Sequence, residues 1–591
     1  MRSGKKFTIG FLPTLLFLVA ILLASCGSST TGPTGSGSSN KPAKAPASQQ
    51  IYRYGDALGT DIATFDPGQA TDLPSIEAIS MVFTGLVSLN DQLQVVPQLA
   101  ASLPTTSADG LTWTFTLKPN LKFSDGTPLT SQDVIYSIDR ALSPQISSLN
   151  GVSLTYLGLI QDSDKRVNGK VKSLIGDSLM APDANTVVIK TNKKTGYFLE
   201  ALSYPTAFVV EKSVVDQWGL KFGDHLSDNG GQGGAGPFKV KSYSHTTGIV
   251  FVPNTNYYNA KPQLQEVDFD FYKTAETAYA AYQANQVDLT SIPPADLAVA
   301  KTKTKEYSQN SQLTIDYFAM NYLYKPFDNI HMRRAIALAI NKAAIKEALY
   351  HGSRPATCHI VPQGQPGYNA SLQCVDGATT SGDPAKAKQE LQMAMQQEGW
   401  TTVSQIPPIK ITYESNAPTL ANEITEVRQQ LQTVLGITVQ TQVLDFVPLL
   451  TAITNTLCTK TDYHACLNQG LQMWELAWGA DYPDPQDWLT LQFDKYAPNN
   501  DWNYGQNGSS DAAQQQQVQQ QLEQADVTLD QTTRMQMYNT AEQQLVNDVA
   551  WLPMDQRFGN RLLKSYVIGR VFNALSEVPP DDWANVYIAV H

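Results

Sequence analysis

The run Asp109-Gly-Leu-Thr-Trp-Thr-Phe-Thr-Leu-Lys118, followed by Phe123-Ser-Asp-Gly-Thr-Pro-Leu-Thr130 and Asp133-Val-Ile-Tyr-Ser137, carries the strongest local signals in the chain. Leu111, Trp113, Phe115 and Leu117 alternate with Thr112, Thr114, Thr116 and Lys118, the period of a strand with one buried face. Ser124, Asp125 and Gly126 make a turn. Thr130 followed by Asp133 matches a capping box, and Val134, Ile135 and Ile138 begin the apolar face of a helix that ends near Leu142.

Outward from this unit, helix and strand signals keep alternating. Asp328 can cap a helix through Ile330, Ile336, Leu338 and Ile340, and Asp383 with Pro384 opens another that Gly399 closes. A third helix runs from about 419 to 435, stops at Gly436, and hands over to a strand through Ile437, Val439 and Val443. Helix then strand across one glycine is the rhythm of an α/β domain. The glutamine-rich run 514–521 sits among helix formers and reads as a solvated helix. Gly231, Gly233 and Gly236 formally satisfy a dinucleotide-binding pattern. However, Pro237, Phe238, Lys239 and Val240 continue as a strand, where a phosphate-binding turn must open a helix. These glycines are read instead as letting the chain cross between lobes.

At the N-terminus, Arg2, Lys5 and Lys6 precede an apolar run from about Phe7 to Leu23, which closes on Leu23, Ala24, Ser25 and Cys26. This is a secretory signal peptide, residues 1–25, and its last four residues resemble the lipobox of bacterial lipoproteins, in which Cys26 is acylated and becomes the first residue. The mature chain is then expected to be anchored to a membrane by lipid, not to span it. Residues 26–50, dominated by Gly, Ser, Thr, Pro and Lys, cannot bury enough surface to fold and read as a flexible tether. The body from 51 to 591 is too long for one core, so two or more lobes are expected.

The chain holds 42 basic against 54 acidic side chains, a net charge of −12, with no long basic cluster, so nucleic acid is not an expected partner. Beyond Cys26 the cysteines fall as two local pairs, Cys358 with Cys374 and Cys458 with Cys466. His359 and His464 lie beside them, but neither spacing is a zinc pattern. For an exported chain, disulfides closing short loops are favoured, worth about 2–3 kcal/mol each. No metal or other cofactor is expected. No G-x-S-x-G elbow, H-E-x-x-H or Walker A loop is present, so no enzyme activity is expected, although paired carboxylates for hydrolysis leave that class open. Trp474, Trp478, Trp488 and Trp502 share a short region with Asp481, Asp484 and Asp487. That region suits either a core or a pocket that sandwiches a ligand and neutralises a cation.

The opening stretch together with Pro97-Gln-Leu-Ala100 resembles the signature region of the family 5 extracytoplasmic solute-binding proteins, the peptide-binding receptors of ABC importers. Collinear landmarks follow at Gly236-Pro-Phe238, Asn256-Tyr-Tyr258, Lys261-Pro262, Arg333-Arg334-Ala335, Ala339-Ile340-Asn341, Gly436-Ile437, Trp478-Gly-Ala-Asp-Tyr-Pro-Asp-Pro485, and 534–553. The resemblance covers nearly all of 51–591. It implies an α/β, two-lobed periplasmic-binding-protein-like fold (class II) with an extra inserted subdomain. Lobe I would take 51–318 and 556–591, with the subdomain near 86–203, and lobe II would take 319–555. A monomer on the outer face of the bacterial cytoplasmic membrane, serving an ABC permease, is implied.

By the same resemblance Asp481 pairs with a peptide's N-terminal ammonium. The backbone at Ala477, Gly479 and the segment from Thr71 to Leu73 binds ligand main chain as an added strand, and Trp478 and Tyr482 are pocket walls. Where oligopeptide binders of the family place an arginine that meets a short peptide's C-terminal carboxylate, this chain has Glu475. An acid there would repel a carboxylate, which points to longer, basic or non-peptide ligands. A receptor for another solute such as an oligosaccharide, with the tryptophans as stacking platforms, is the alternative.

Overall fold

The opening stretch forms the unit its pattern dictates. Thr112–Thr116 is a strand with Trp113 and Phe115 buried, and Ser131–Ala141 is a helix behind a Thr130/Asp133 capping box in which the Thr130 amide donates to Asp133 at 2.8 Å. Thr112–Thr116 pairs with Thr105–Thr106 and Thr186–Lys190, and the latter with Leu179–Asp183, giving a separate four-stranded antiparallel sheet. This sheet lies within the segment 86–203, and its buried face joins the same apolar cluster as Phe208 and Phe251.

The computed structural model describes residues 42–55, 61–150, 152–415, 418–495, 497 and 499–591. Cys26 and the signal peptide lie outside them, as does the tether up to 41. Among the described residues no helix is long and apolar enough to cross a membrane.

The main sheet has ten strands. At one end Val439–Leu444, Ile409–Glu414 and Met473–Gly479 lie side by side; at the other are Leu289–Ser291, Ile51–Tyr54, Glu266–Asp270, Gly248–Pro253 and Phe238–Ser244. Two long antiparallel strands, Tyr307–Met320 and Leu552–Leu563, join these halves. Their register shifts between Ser311 and Ile315, opposite Phe558 and Gln556, and again between Asp316 and Tyr317, opposite Asp555 and Pro553, so the irregularities fall a few residues before the expected crossing at 318/319 and on either side of that at 555/556. Each half buries its own apolar cluster, one around Phe115, Phe208 and Phe251, the other around Phe318, Ile336, Ile411 and Leu431. The fold is therefore α/β and two-lobed.

Several expectations need correction. The folded body starts at Lys44, not at 51. The Gln50 side chain donates to the carbonyls of Ala45 (2.9 Å) and Ile588 (2.8 Å) and accepts from the Ile588 amide (3.0 Å), so 44–50 are held by polar contacts that leave no hydrophobic pattern to read. The helix Ile330–Ala339 is capped by Asn329, whose side chain accepts from the Met332 amide at 3.2 Å, while Asp328 pairs with Lys325. The glycines near 234 do not carry the chain between lobes. A Cβ at Gly234 would lie 2.1 Å from the Val82 carbonyl oxygen, and the Gly236 amide donates to that oxygen at 2.7 Å, so they let the chain close against the helix Leu73–Val82 before entering a strand. The helices Pro384–Glu398, closed by Gly399 at φ 70°, Pro418–Leu435 and Ala512–Asp526 lie where the sequence places them. Cys358 is bonded to Cys374 (Cα–Cα 5.4 Å) and Cys458 to Cys466 (5.7 Å).

A third apolar cluster fills the space beside the long strands with aromatic rings: Trp502 lies 5.3 Å from both Phe493 and Trp551 and 6.2 Å from Tyr317. Truncating a ring so enclosed leaves a cavity that the rigid sheet cannot close. Trp502→Ala should destabilise the protein by about 3–5 kcal/mol, read as a lower urea midpoint with an unchanged slope.

Candidate functional site

The site grows from the strand Met473–Gly479. It pairs along its length with Thr314 to Met320, but on its other side only Met473 and Trp474 meet a strand, at Ile411 and Thr412. Among the described residues no strand pairs with 475–479 on that edge. Its outward N–H and C=O groups are an open ladder that an extended chain can complete. Ala477 and Gly479 stand on this edge. Residues alternate across it: Trp474, Leu476 and Trp478 turn into the aromatic cluster, while Glu475 and Ala477 face the side of Phe318 and Asp316.

The loop that follows is tightly held. The Ala480 amide donates to the Leu313 carbonyl at 2.8 Å. Fully buried Asp487 accepts from the Trp478 indole N–H (3.3 Å) and the Asp481 amide (3.2 Å) through one oxygen. Asp484 caps the short helix Pro485–Trp488 and takes both guanidinium arms of Arg534, at 2.9 and 2.7 Å. This scaffold presents Asp481, half-buried and with no cation in ion-pair reach among the described residues. Burial lifts its carboxyl to about 6, with the Tyr156 hydroxyl offsetting part of the rise. A carboxylate so placed favours a cationic partner that brings its own charge into a dry site.

Two residues that the sequence did not reveal complete the arrangement. Tyr156 lies beside Asp481 and stacks on Tyr204 at 3.5 Å between centroids, and the Tyr204 hydroxyl donates to the Ala70 carbonyl at 3.0 Å. Ala70 adjoins Thr71 and Leu73, both exposed at the head of the helix Leu73–Val82. The two tyrosines thus bridge the Asp481 loop and the Thr71 to Leu73 segment. Nothing in their local pattern marks them, since one sits in the short helix Ser153–Leu157 and the other in a loop.

Tyr482 takes a different place from an open pocket wall. It is 2% exposed, lies parallel to Tyr197 at 6.0 Å and edge-on to Tyr156 at 6.3 Å, and donates its hydroxyl to Gln486. It is a packing wedge of the Asp481 loop in the first lobe's core. Of the four clustered tryptophans, Trp474, Trp488 and Trp502 are buried core, and Trp478 alone is half-buried.

Glu475 is buried and joins a charged network. Asp316 receives Arg557 at 2.8 and 2.7 Å and Arg354 at 3.3 Å; Lys346 pairs with Glu423 at 2.6 Å and with Asp555. Burial would raise the Asp316 carboxyl, but Arg557 and Arg354 hold it below the usual carboxylate range. Burial, with Asp316 and Glu423 nearby, instead pushes Glu475 up to about 8. Burial thus favours the protonated form of Glu475, which weakens the repulsion expected of an acid at this position.

Residues 94–500, more than half of the chain, match the sequence profile of the bacterial extracellular solute-binding proteins, family 5 (middle region). The chain belongs to this family. It is a family of solute-binding proteins, not of enzymes. Over 551 residues the chain is 24% identical to the oligopeptide-binding protein OppA of Bacillus subtilis (strain 168), covering 92% of this chain and 93% of that one. It is 26% identical over 551 residues to the periplasmic murein peptide-binding protein MppA of Escherichia coli (strain K12), covering 92% and 94%. Its fold superposes on that of the MppA periplasmic murein tripeptide binding protein in its unliganded open form with a TM-score of 0.73 at 24% identity, covering 93% of this chain and 99% of the other.

Because folded Glu475 holds a proton that the unfolded chain releases above its ordinary value of 4.5, stability is lost as pH rises from there to about 8. Glu475→Gln removes that loss. The melting temperature of the variant should gain on the wild type steadily between pH 5 and pH 8, as followed by circular dichroism.

Proposed function

We propose that this chain is a lipid-anchored extracytoplasmic receptor that captures an oligopeptide in the cleft between its lobes and delivers it to the permease of an ABC importer. The observation that carries the reading is Asp481: a partly desolvated carboxylate without a cation, beside an open strand edge at 475–479. An extended peptide matches both features, its main chain completing the ladder and its α-ammonium meeting the acid. The relatives named for oligopeptide and murein peptide binding support the same class of cargo. The burial of three tryptophans leaves few stacking platforms for a glycan. Ligand contacts to Thr71 to Leu73 on one lobe and to 477–481 on the other would favour the closed state, which the permease reads. The acylated Cys26 would keep the receptor in the plane of its importer and raise its effective concentration there.

Calorimetry with defined pentapeptides tests the central contact. Asp481→Ala should weaken binding by ~3–5 kcal/mol, about a hundredfold or more; unchanged affinity would sink the assignment. The pH dependence has a definite sign. Only the ionised carboxylate pairs with ammonium, and the α-amine stays protonated below about 7.7, so affinity should fall as pH drops through about 6. An N-acetylated peptide should show no such fall.

The anchor is tested separately. Cys26→Ser should release a receptor that binds peptide normally but supports uptake poorly by intact cells, and uptake at the wild-type rate would show that the anchor is dispensable.

A further inference from the structure

Along the edge of Leu552–Leu563 that faces away from Tyr307–Met320, the chain at 355–357 runs antiparallel. Ala356 stands opposite Asp555, and the Thr357 amide donates to the Met554 carbonyl at 3.2 Å. From there the chain makes a loop that Cys358 and Cys374 close. Its start is fixed by Glu542, on the helix Gln531–Asp548, which accepts the amides of Ile360 (3.1 Å) and Val361 (2.9 Å) through one oxygen. Against the loop lies a cavity of about 280 Å³, with Tyr368, Phe558 and both sulfur-bearing residues in its walls and the exposed Pro355 and Gln363 among its lining. A void of that size admits a molecule several times larger than water.

The two cysteines are unlike. Cys358 is 7% exposed, whereas Cys374 is half-buried. Lys342, the first residue of the helix Lys342–Tyr350, places its ammonium 3.5 Å from the Cys358 sulfur. It also donates to the carbonyls of Thr357 (2.8 Å) and Pro553 (2.9 Å), and it makes no ion pair among the described residues. Burial, with the Lys346 ammonium nearby, lowers it to about 7, so this cation lacks a negative neighbour.

No Asp or Glu is among the residues that line the cavity. Glu542 lies behind His359, 3.8 Å from its Nδ1, and burial raises its carboxyl to about 8. In a chain of net charge −12, an approach to sulfur without an acid spares an incoming thiolate the repulsion it would meet elsewhere.

We propose that Cys358–Cys374 is a thiol-exchange site, at which a low-molecular-weight thiol entering the cavity becomes disulfide-bonded to Cys374. The incoming thiol first gives its proton to solvent. Its thiolate then attacks the Cys374 sulfur and forms the new S–S bond, while the Cys358–Cys374 bond breaks and leaves its electron pair on Cys358. Lys342 stabilises that leaving thiolate and gains the anionic partner it lacks in the oxidised chain; a stabilised thiolate leaves faster. Charge and electrons balance between the two sulfur compounds alone. The inference does not depend on the cargo.

The Cys458–Cys466 bond serves as the internal control, since its Cys458 sulfur lies 3.9 Å from the Lys460 carbonyl, which cannot stabilise a thiolate. The whole protein is incubated with free cysteine, quenched with iodoacetamide and digested, and the state of each cysteine is read by mass spectrometry. The wild type should carry the added cysteine on Cys374 and the alkyl group on Cys358, formed at least tenfold faster than any product at Cys458–Cys466. Lys342→Met should slow this at least tenfold and leave Cys458–Cys466 unchanged, which also shows that the variant is folded. Equal rates at the two bonds of the wild type, an adduct mainly on Cys358, or a rate in K342M within threefold of the wild type would each overturn the proposal. If K342M unfolds, the control bond speeds up as well, and the wild-type ratio and position of the adduct decide.

Discussion

The antiparallel pairing of Tyr307–Met320 with Leu552–Leu563 is the constraint on which the rest of the molecule depends. These strands belong to both halves of the sheet at once, and their register places Met473–Gly479 on one side and Leu289–Ser291 on the other. Their ladder is interrupted between Ser311 and Ile315, where residues 312–314 have no partner on the facing strand, and shifts again between Asp316 and Tyr317. Leu313, inside that unpaired stretch, is bonded through its amide to the C-terminal loop and through its carbonyl to the Asp481 loop. The segments that form the site therefore share one anchor point on one strand, although they are far apart in sequence.

Around this anchor the protein keeps more acid than base out of water. Asp481, Glu475 and Glu577 all hold their protons more tightly than a solvated carboxyl does, burial being the main cause each time. Asp316 goes the other way because two guanidiniums sit on it. Asp316 and Asp484 have arginine partners inside the chain, whereas Asp481 and Glu577 lack an ion-pair partner among the described residues. The overall charge of −12 has the same sign but does not say where the unpartnered acids lie.

Local patterns were legible where a few neighbouring residues decide the conformation. The alternation of Leu111 to Lys118 and the Thr130/Asp133 box act within one or two turns of chain, and Gly399 ends its helix because it can adopt a positive φ there. Asp328 and Asn329 were harder to tell apart, since both are good caps and the choice fell to Lys325 and Met332. The segment 44–50 left no periodic signal because it is held by the Gln50 side chain and by backbone pairing of Ala45 with Ile588. Glycines near 234 marked a close approach, but which backbone they approach is a tertiary fact.

The family resemblance directed attention to Asp481, Ala477, Gly479 and the Thr71 to Leu73 segment, and the folded chain brings these into one neighbourhood. Tyr156 and Tyr204 had no such mark. By itself the sequence determined the alternation of helices and strands, the surplus of acid, and the motifs of the binding-protein family, because each is carried by residue type and short-range spacing. Tertiary structure alone decided that Tyr482 packs as a wedge beneath the Asp481 loop and that Glu475 is a buried acid whose protonated form is favoured. Exposure, protonation and the closing of distant segments on Leu313 depend on which surfaces lose water, and that is settled only when the two long strands pair.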